Sequence, residues 1–215
     1  MSAVVALKPY DEVFDSQKHY RTLLDCLARP GLIGQLDDVM LDVPPFYNRA
    51  TALTLLTLFG GDTTYALVQS EAQASAAPVA PDCGFIRRET GAKAVPVDQA
   101  DFLILFDAAV LPQLTNVRIG TLSYPDLGAT AIVQVEGISP APMQGSLRLR
   151  LTGPGIETET IVFVSGAAAE FFAARAHLNH EFPMGLDIFL TCDSLSAGPC
   201  VLGLPRTTRV DWERI

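Results

Sequence analysis

His177 and His180 stand three residues apart, followed directly by Glu181. On a helix that spacing puts two imidazoles on one face, where they could share a metal ion. The H-E-x-x-H pattern of a zinc hydrolase is missing, and Pro183 ends any helix just after the pair. The plainer reading is a solvated helix end, where imidazolium and Arg175 suit the helix dipole, and no metal site is assigned. Cys192 is a second reactive type. A nucleophilic thiol needs a lowered pKa, usually from a helix N-terminus or a neighbouring base, whereas Cys192 ends the apolar run "LDIFLTC". It reads as a small buried hydrophobe. The four cysteines, Cys26, Cys83, Cys192 and Cys200, are spread without zinc-knuckle spacing and read as reduced structural thiols. There is no G-x-S-x-G for a hydrolase serine. No residue is assigned a catalytic role.

Two further segments could hold an anion. In "LTGPGIETE", Gly153 and Gly155 could let backbone N–H groups approach a phosphate, but the lysine of a P-loop is missing and a strand follows, which favours a plain turn. In "GLPRTTRV", Arg206, Thr207 and Thr208 place a guanidinium beside two hydroxyls, a set able to hold phosphate or carboxylate. The structural alternative pairs Arg206 with an acid. Asp187 is the only charge within "LDIFLTC", and leaving it buried and unpaired would cost several kcal/mol. Arg206 is its preferred partner. Asp187, Arg206, Thr207 and Thr208 are therefore a candidate polar cluster, either ligand-binding or structural.

These residues need elements to place them. Asp15 or Ser16 could cap a first helix whose Tyr20, Leu23, Leu24 and Leu27 form one apolar face, ended by Arg29-Pro30-Gly31. "GLIGQL" reads as a strand, Asn48 to Phe59 as a helix stopped by Gly60-Gly61, and "TTYALVQ" as a strand. Residues 71–84 read as an alanine- and proline-rich surface loop with a short helix following. "DFLILFDA" suits a strand buried on both faces, and Ala108 to Leu114 a short helix broken by Pro112. "ATAIVQVEG", "SLRLRLTG" and "TETIVFVSG" follow as strands, with Leu147, Leu149 and Leu151 on one face and Arg148 and Arg150 on the other. A helix from Ala167 to Leu178 and the strands "LDIFLTC" and "CVLGLP" complete the chain. The expected fold is α/β: one domain over residues 1–215, a mixed β-sheet flanked by helices on both faces.

The composition agrees with a packed domain: 215 residues, 49% hydrophobic and 18% charged. The net charge of −9 argues against a non-specific nucleic-acid binder. No run approaches the ~18 apolar residues of a membrane span. The start, "MSAVVALKPYDE", shows no basic leader, so a cytoplasmic location is expected. Twelve of the basic residues are arginines, the lysines being Lys8, Lys18 and Lys93. Arginine favours bidentate anion contact and buried pairing.

Four segments in register, "FDSQKHYRTLLDCLARPG", "LTGPGI", "FPMGLDIFLTC" and "LPRTT", carry a family resemblance. The chain resembles the PhnH family, the H subunit of the carbon–phosphorus lyase complex, over nearly its whole length. The resemblance implies a subunit of a bacterial phosphonate-degrading assembly with G, I and J subunits. That assembly converts MgATP and methylphosphonate to α-D-ribose 1-methylphosphonate 5-triphosphate. It also implies a homodimer and a fold similar to type I pyridoxal-phosphate (PLP) transferases. A PLP enzyme needs a Schiff-base lysine. Lys8 and Lys18 lie at the N-terminus and Lys93 sits in "TGAKAVP" without a cofactor signature. No PLP is expected, and MgATP would be used by the complex.

The expectation is thus an assembly subunit that brings shape and docking surface, with an exposed apolar patch on the first helix or on the stretch from Ala72 to Pro81. The alternative is a stand-alone enzyme or binding protein for a phosphorylated small molecule, using Arg206, Thr207, Thr208 and Asp187.

Overall fold

The computed structural model describes residues 8–68, 83–108, 111, 116–194 and 197–215. The expectations for residues 71–82 and for most of Ala108 to Leu114 lie outside the described residues.

The strongest apolar run sits at the centre. β4 (Phe102–Leu105) lies between β2 (Thr64–Val68) and β5 (Thr130–Gln134), parallel to both. With Leu103, Ile104 and Leu105 inaccessible, it is covered on both faces, as its unbroken apolar pattern demands. The full seven-stranded order is β1-β10-β9-β5-β4-β2-β3. Here β1 is Ile33–Gln35, β3 is Lys93–Ala94, β9 is Asp187–Ser194 and β10 is Gly198–Leu204. Strands β9, β5, β4, β2 and β3 run parallel, and β10, antiparallel to its neighbours β9 and β1, makes the sheet mixed.

One face carries α1 (Phe14–Ala28), α2 (Arg49–Leu58) and α3 (Cys83–Thr90), over a core including Leu53, Tyr65, Phe85, Ile132, Phe189 and Val201. The other face carries α4 (Ala169–Leu178) and a second, four-stranded antiparallel sheet ordered β11-β7-β8-β6. Its strands are β6 (Gly137–Ser139), β7 (Leu147–Thr152), β8 (Thr160–Ser165) and β11 (Arg209–Arg214). Leu147, Leu149 and Leu151 of β7 point into that core. On its outer face Arg148 pairs with Glu213, and Arg150 with Glu159 and Asp211. Helices thus lie on both faces, but the second face is shared with a sheet.

The first helix departs from its expected face. Tyr20 and Leu24 are each 47% exposed, and the buried positions are Asp15, His19, Leu23 and Cys26. The inward polar groups meet partners from outside the helix, although His19 Nδ1 is buried without one among the described residues. Lys8 binds the Asp15 carboxylate, and the Asp37 backbone N–H donates to His19 Nε2 at 3.1 Å. Nor does Asp15 or Ser16 cap the helix: Val13 occupies the N-cap position, without a side-chain cap bond. Close seating of α1 depends on glycine. A Cβ on Gly203 of β10 would fall 2.7 Å from the Cys26 carbonyl carbon, and one on Gly34 of β1 2.5 Å from Cys26 Sγ.

Among the described residues, no helix is long and apolar enough to cross a membrane.

Candidate functional site

β9 begins at Asp187 and β10 ends opposite it, with Leu204 in register with Ile188. The chain then turns through Pro205 to Thr208, closed by the Thr208 N–H donating to the Pro205 carbonyl at 2.9 Å. This hairpin delivers Arg206 to Asp187. Asp187 Oδ1 accepts from the Arg206 backbone N–H at 2.6 Å and from Nε at 3.2 Å. Oδ2 accepts from Nε at 3.1 Å and from Nη2 at 2.7 Å. The remaining Arg206 Nη1 donates to the Pro125 carbonyl at 2.7 Å. The two side chains are 14% and 22% exposed, so their charges neutralise each other away from most of the solvent. Bidentate geometry of this kind is what guanidinium and carboxylate favour. Gly128 makes room for it, because a Cβ there would lie 3.0 Å from Arg206 Nη1.

A second arginine lies behind the turn. Arg175 of α4 is 2% exposed. Its Nη1 donates to the Thr208 carbonyl at 3.0 Å, and its Nη2 to those of Leu204 and Pro205 at 3.3 and 2.7 Å. The expected solvated helix-end role of Arg175 is therefore corrected: it folds inward and fastens the turn. Burial pushes the guanidinium down to about 10, with the Asp187 charge acting in the opposite direction. Arg175 Nε and Thr208 Oγ1 are buried without a hydrogen-bond partner among the described residues. Thr207 is half-buried on the same turn.

The cluster sits at the N-terminal end of the parallel strands, where Asp187 is level with Thr130 at the start of β5. Open α/β sheets usually bind ligands at the opposite, carboxyl end. Here that end has a cleft of about 540 Å³ lined by Phe46, Asn48, Asp107, Gln134 and Glu136 among others. Its helix terminus is already engaged. Asn48 Oδ1 caps Thr51, and the Asp193 carboxylate takes the N–H groups of Arg49 and Ala50 at 2.8 and 2.9 Å. The Gln134 amide accepts from the Asn48 N–H and donates to the Phe46 carbonyl.

His177 and His180 line a small surface cleft together with Glu181. α4 ends at Leu178, so His180 lies past the helix. Among the described residues, no group of three His, Cys, Asp or Glu side chains is placed to hold a metal. Gly153 and Gly155 lie beside protein carbonyls. A Cβ on Gly155 would fall 2.2 Å from the Ala28 carbonyl oxygen and one on Gly153 2.9 Å from that of Thr207. Both have positive φ, as a tight turn requires.

Cys192 is inaccessible in β9, and Cys200 faces it directly across the β9–β10 ladder. The facing Cys192 thiol holds Cys200 below the ordinary thiol value, and Cys200 Sγ donates to the Gly198 carbonyl at 3.3 Å. The Cys200 thiol and burial push Cys192 far up. This pairing escaped the sequence reading; the one signal for it was the shared distance of both cysteines from the hairpin tip.

Comparison with known proteins now adds to this geometry. Residues 9–211 match the family described as bacterial phosphonate metabolism protein (PhnH). The chain belongs to the PhnH family. It is 32% identical over 204 residues to the "Alpha-D-ribose 1-methylphosphonate 5-triphosphate synthase subunit PhnH" of Rhizobium meliloti (strain 1021), covering 94% of each chain. It is 36% identical over 124 residues to the "Putative C-P lyase subunit protein HtxG" of Stutzerimonas stutzeri, covering 58% of this chain and 57% of that protein. The PhnH match runs through α1, the Gly153–Gly155 turn, Asp187 and Arg206, the regions that carried the resemblance.

Proposed function

We propose that this chain is a non-catalytic or co-catalytic subunit of a cytoplasmic carbon–phosphorus lyase core complex. In that complex it supports formation of α-D-ribose 1-methylphosphonate 5-triphosphate from MgATP and methylphosphonate. Its partners are a second copy of itself and the G, I and J subunits, and residues 1–215 act as one unit. The near full-length likeness to a protein named as a subunit of that synthase supports the reading. The observation that carries it is the state of the polar cluster. Asp187 and Arg206 take up each other's charge, and Arg175 is bonded to main-chain carbonyls. A stand-alone enzyme would need those groups free for a substrate.

Outward apolar side chains agree with a docking role. On α1 and its approach, Val13, Phe14, Tyr20 and Leu24 are exposed, and Leu122 and Tyr124 stand out near the cluster. Apolar cores of this kind are typical of assembly interfaces.

The finer likeness to type I PLP transferases belongs to the same proposal, supported by five parallel strands with helices on both faces. PLP itself does not fit. Lys8 is held by Asp15, Lys18 by Asp37, and Lys93 is exposed on the two-residue edge strand β3. None offers a sheltered amine for a Schiff base.

Co-expression with the G, I and J subunits tests the reading. One stable complex containing this chain is expected, with no turnover of phosphonate or nucleotide by the chain alone. Free elution of the chain, or activity of the isolated protein lost on one substitution, would refute it.

A further inference from the structure

Cys192 and Cys200 are two of the four cysteines of the chain, and the β9–β10 hairpin sets them opposite each other. The ladder also fixes how they face. The Leu36 N–H reaches the Pro199 carbonyl from the β1 side, and the Val135 N–H reaches the Thr191 carbonyl from the β5 side. Pro199 and Thr191 thus turn their main chains out of the hairpin. Cys200 and Cys192, one position along each strand, turn theirs into it. An antiparallel pair of this hydrogen-bonded kind holds its Cα atoms about 5.5 Å apart, inside the span that a disulfide bridges. Both side chains lie on one side of the sheet, in one apolar core, and both thiols are free. Cys26, also a free buried thiol, belongs to the core on the other face. Cys200 is two residues in from Gly198, where a side chain would meet open space.

We propose that Cys192 and Cys200 form a redox-reactive dithiol, which a peroxide-class oxidant closes to an intrachain disulfide and a thiol reductant reopens. Cys200 reacts first: the facing Cys192 thiol holds it below the ordinary thiol value, and the thiolate is the form that attacks. Its sulfur takes one peroxide oxygen and becomes a sulfenic acid, while the O–O bond breaks and the other oxygen leaves as water. Cys192 then attacks that sulfur; the S–S bond forms, the S–O bond breaks and a second water leaves. Two thiols and one peroxide give one disulfide and two waters, with two electrons passing from sulfur to oxygen. Peroxide is scarcely larger than water, so local opening at a hairpin end admits it where the same burial slows a bulkier alkylating agent. Reopening follows from the ladder. Side chains of a hydrogen-bonded pair stand farther apart than those of a non-hydrogen-bonded pair, so the new bond draws the strands from their relaxed spacing. A disulfide held off its preferred geometry is reduced more readily. Thr191 and Asp193, on either side of Cys192, both bond the first turn of α2, so the state of the pair is felt there. This site goes beyond the subunit reading and does not rest on it.

Peroxide titration of the full-length native chain tests it, followed by acid quench, denaturation, alkylation of the remaining thiols and mass spectrometry. Both cysteines fall in one tryptic peptide, Ala176 to Arg206. After peroxide that peptide should appear unalkylated and two hydrogens lighter, while Cys26 stays alkylatable. Excess reduced glutathione should restore both alkylation sites. Cys192→Ser should leave Cys200 as a sulfenic acid that dimedone traps, and Cys200→Ser should slow oxidation of Cys192 by about tenfold or more. Full alkylation of both cysteines after peroxide, bonding to Cys26 or Cys83 in preference, or a bond that excess glutathione leaves closed would overturn the proposal.

Discussion

Asn179 pairs with the main chain of Leu186 through both ends of its amide: Oδ1 accepts the Leu186 N–H at 2.7 Å, and Nδ2 donates to the Leu186 carbonyl at 3.2 Å. The side chain thereby closes the His180–Gly185 turn as a neighbouring strand would, and brings the end of α4 to the start of β9. Asn179→Ala should destabilise the chain by about 1–3 kcal/mol in urea unfolding. Asn179→Asp should cost at least as much, because it sets a carboxylate oxygen against a carbonyl. An Asp variant as stable as the native chain would show that the donor half of the pair is unimportant.

The Asp187–Arg206 pair invites a double-mutant cycle. Asp187→Asn and Arg206→Met should each cost about 2–4 kcal/mol, since each strands a partly buried charge. The double variant should cost clearly less than their sum, with a coupling of about 1 kcal/mol or more. Strict additivity in denaturant midpoints would mean that the two act independently.

His19 gives a pH dependence with a definite sign. Burial lowers its pKa from 6.5, with Asp37 and Asp15 acting the other way. The folded chain thus takes up its proton less readily than the unfolded chain. Stability should be full above about pH 6.5 and fall as the pH drops below it. Asp15 and Asp101 also have lowered pKa values. Burial opposes the shift in both, but Lys8 outweighs it at Asp15, and Thr64 and Arg118 at Asp101. Their contribution is present above the ordinary carboxylate value of 3.8 and is lost only below it. Urea midpoints at pH 7.5 and 5.5 separate these effects: the native chain should lose stability between them, and His19→Gln should lose less.

Cys192 and Cys200 should resist alkylation in the native chain at pH 8, reacting with iodoacetamide about tenfold or more slowly than after unfolding. Cys200, whose thiol is held lower than that of Cys192, should be modified before Cys192. Mass spectrometry of the peptides reads both outcomes.

Leu24→Glu and Tyr20→Glu on the outer face of α1 should leave stability within about 0.5 kcal/mol of native. The same changes should reduce recovery of the chain with the G, I and J subunits or with itself. Undiminished recovery of both would move the docking surface elsewhere.

How much of this could be read in the sequence varied with where the partner of each residue lies. The strands were legible because their signal is local: "LRLRL" alternates leucine inward and arginine outward, and "FLILF" is apolar throughout because both sides are covered. Asp187 with Arg206 was legible as chemistry, a lone acid in an apolar run with an arginine past the next strand. The face of α1 was not. Asp15 and His19 turn inward because Lys8 and Asp37 meet them there, and helical periodicity counts apolar positions without seeing partners supplied from elsewhere. The burial of Arg175 was hidden for the same reason, since its acceptors arrive some thirty residues later. The thiol pair depended on hairpin register, which spacing alone leaves open.

Gly203 lets the backbone of α1 rest directly on β10, and Gly34 of β1 leaves room for the Cys26 and Thr22 side chains of the same helix. A helix seated so closely has little independent rocking motion left. Whatever grips its outer face therefore grips the whole sheet, and binding there freezes few new degrees of freedom. Enlarging either glycine, even to alanine, should loosen the assembly from within while leaving every exposed side chain of α1 untouched.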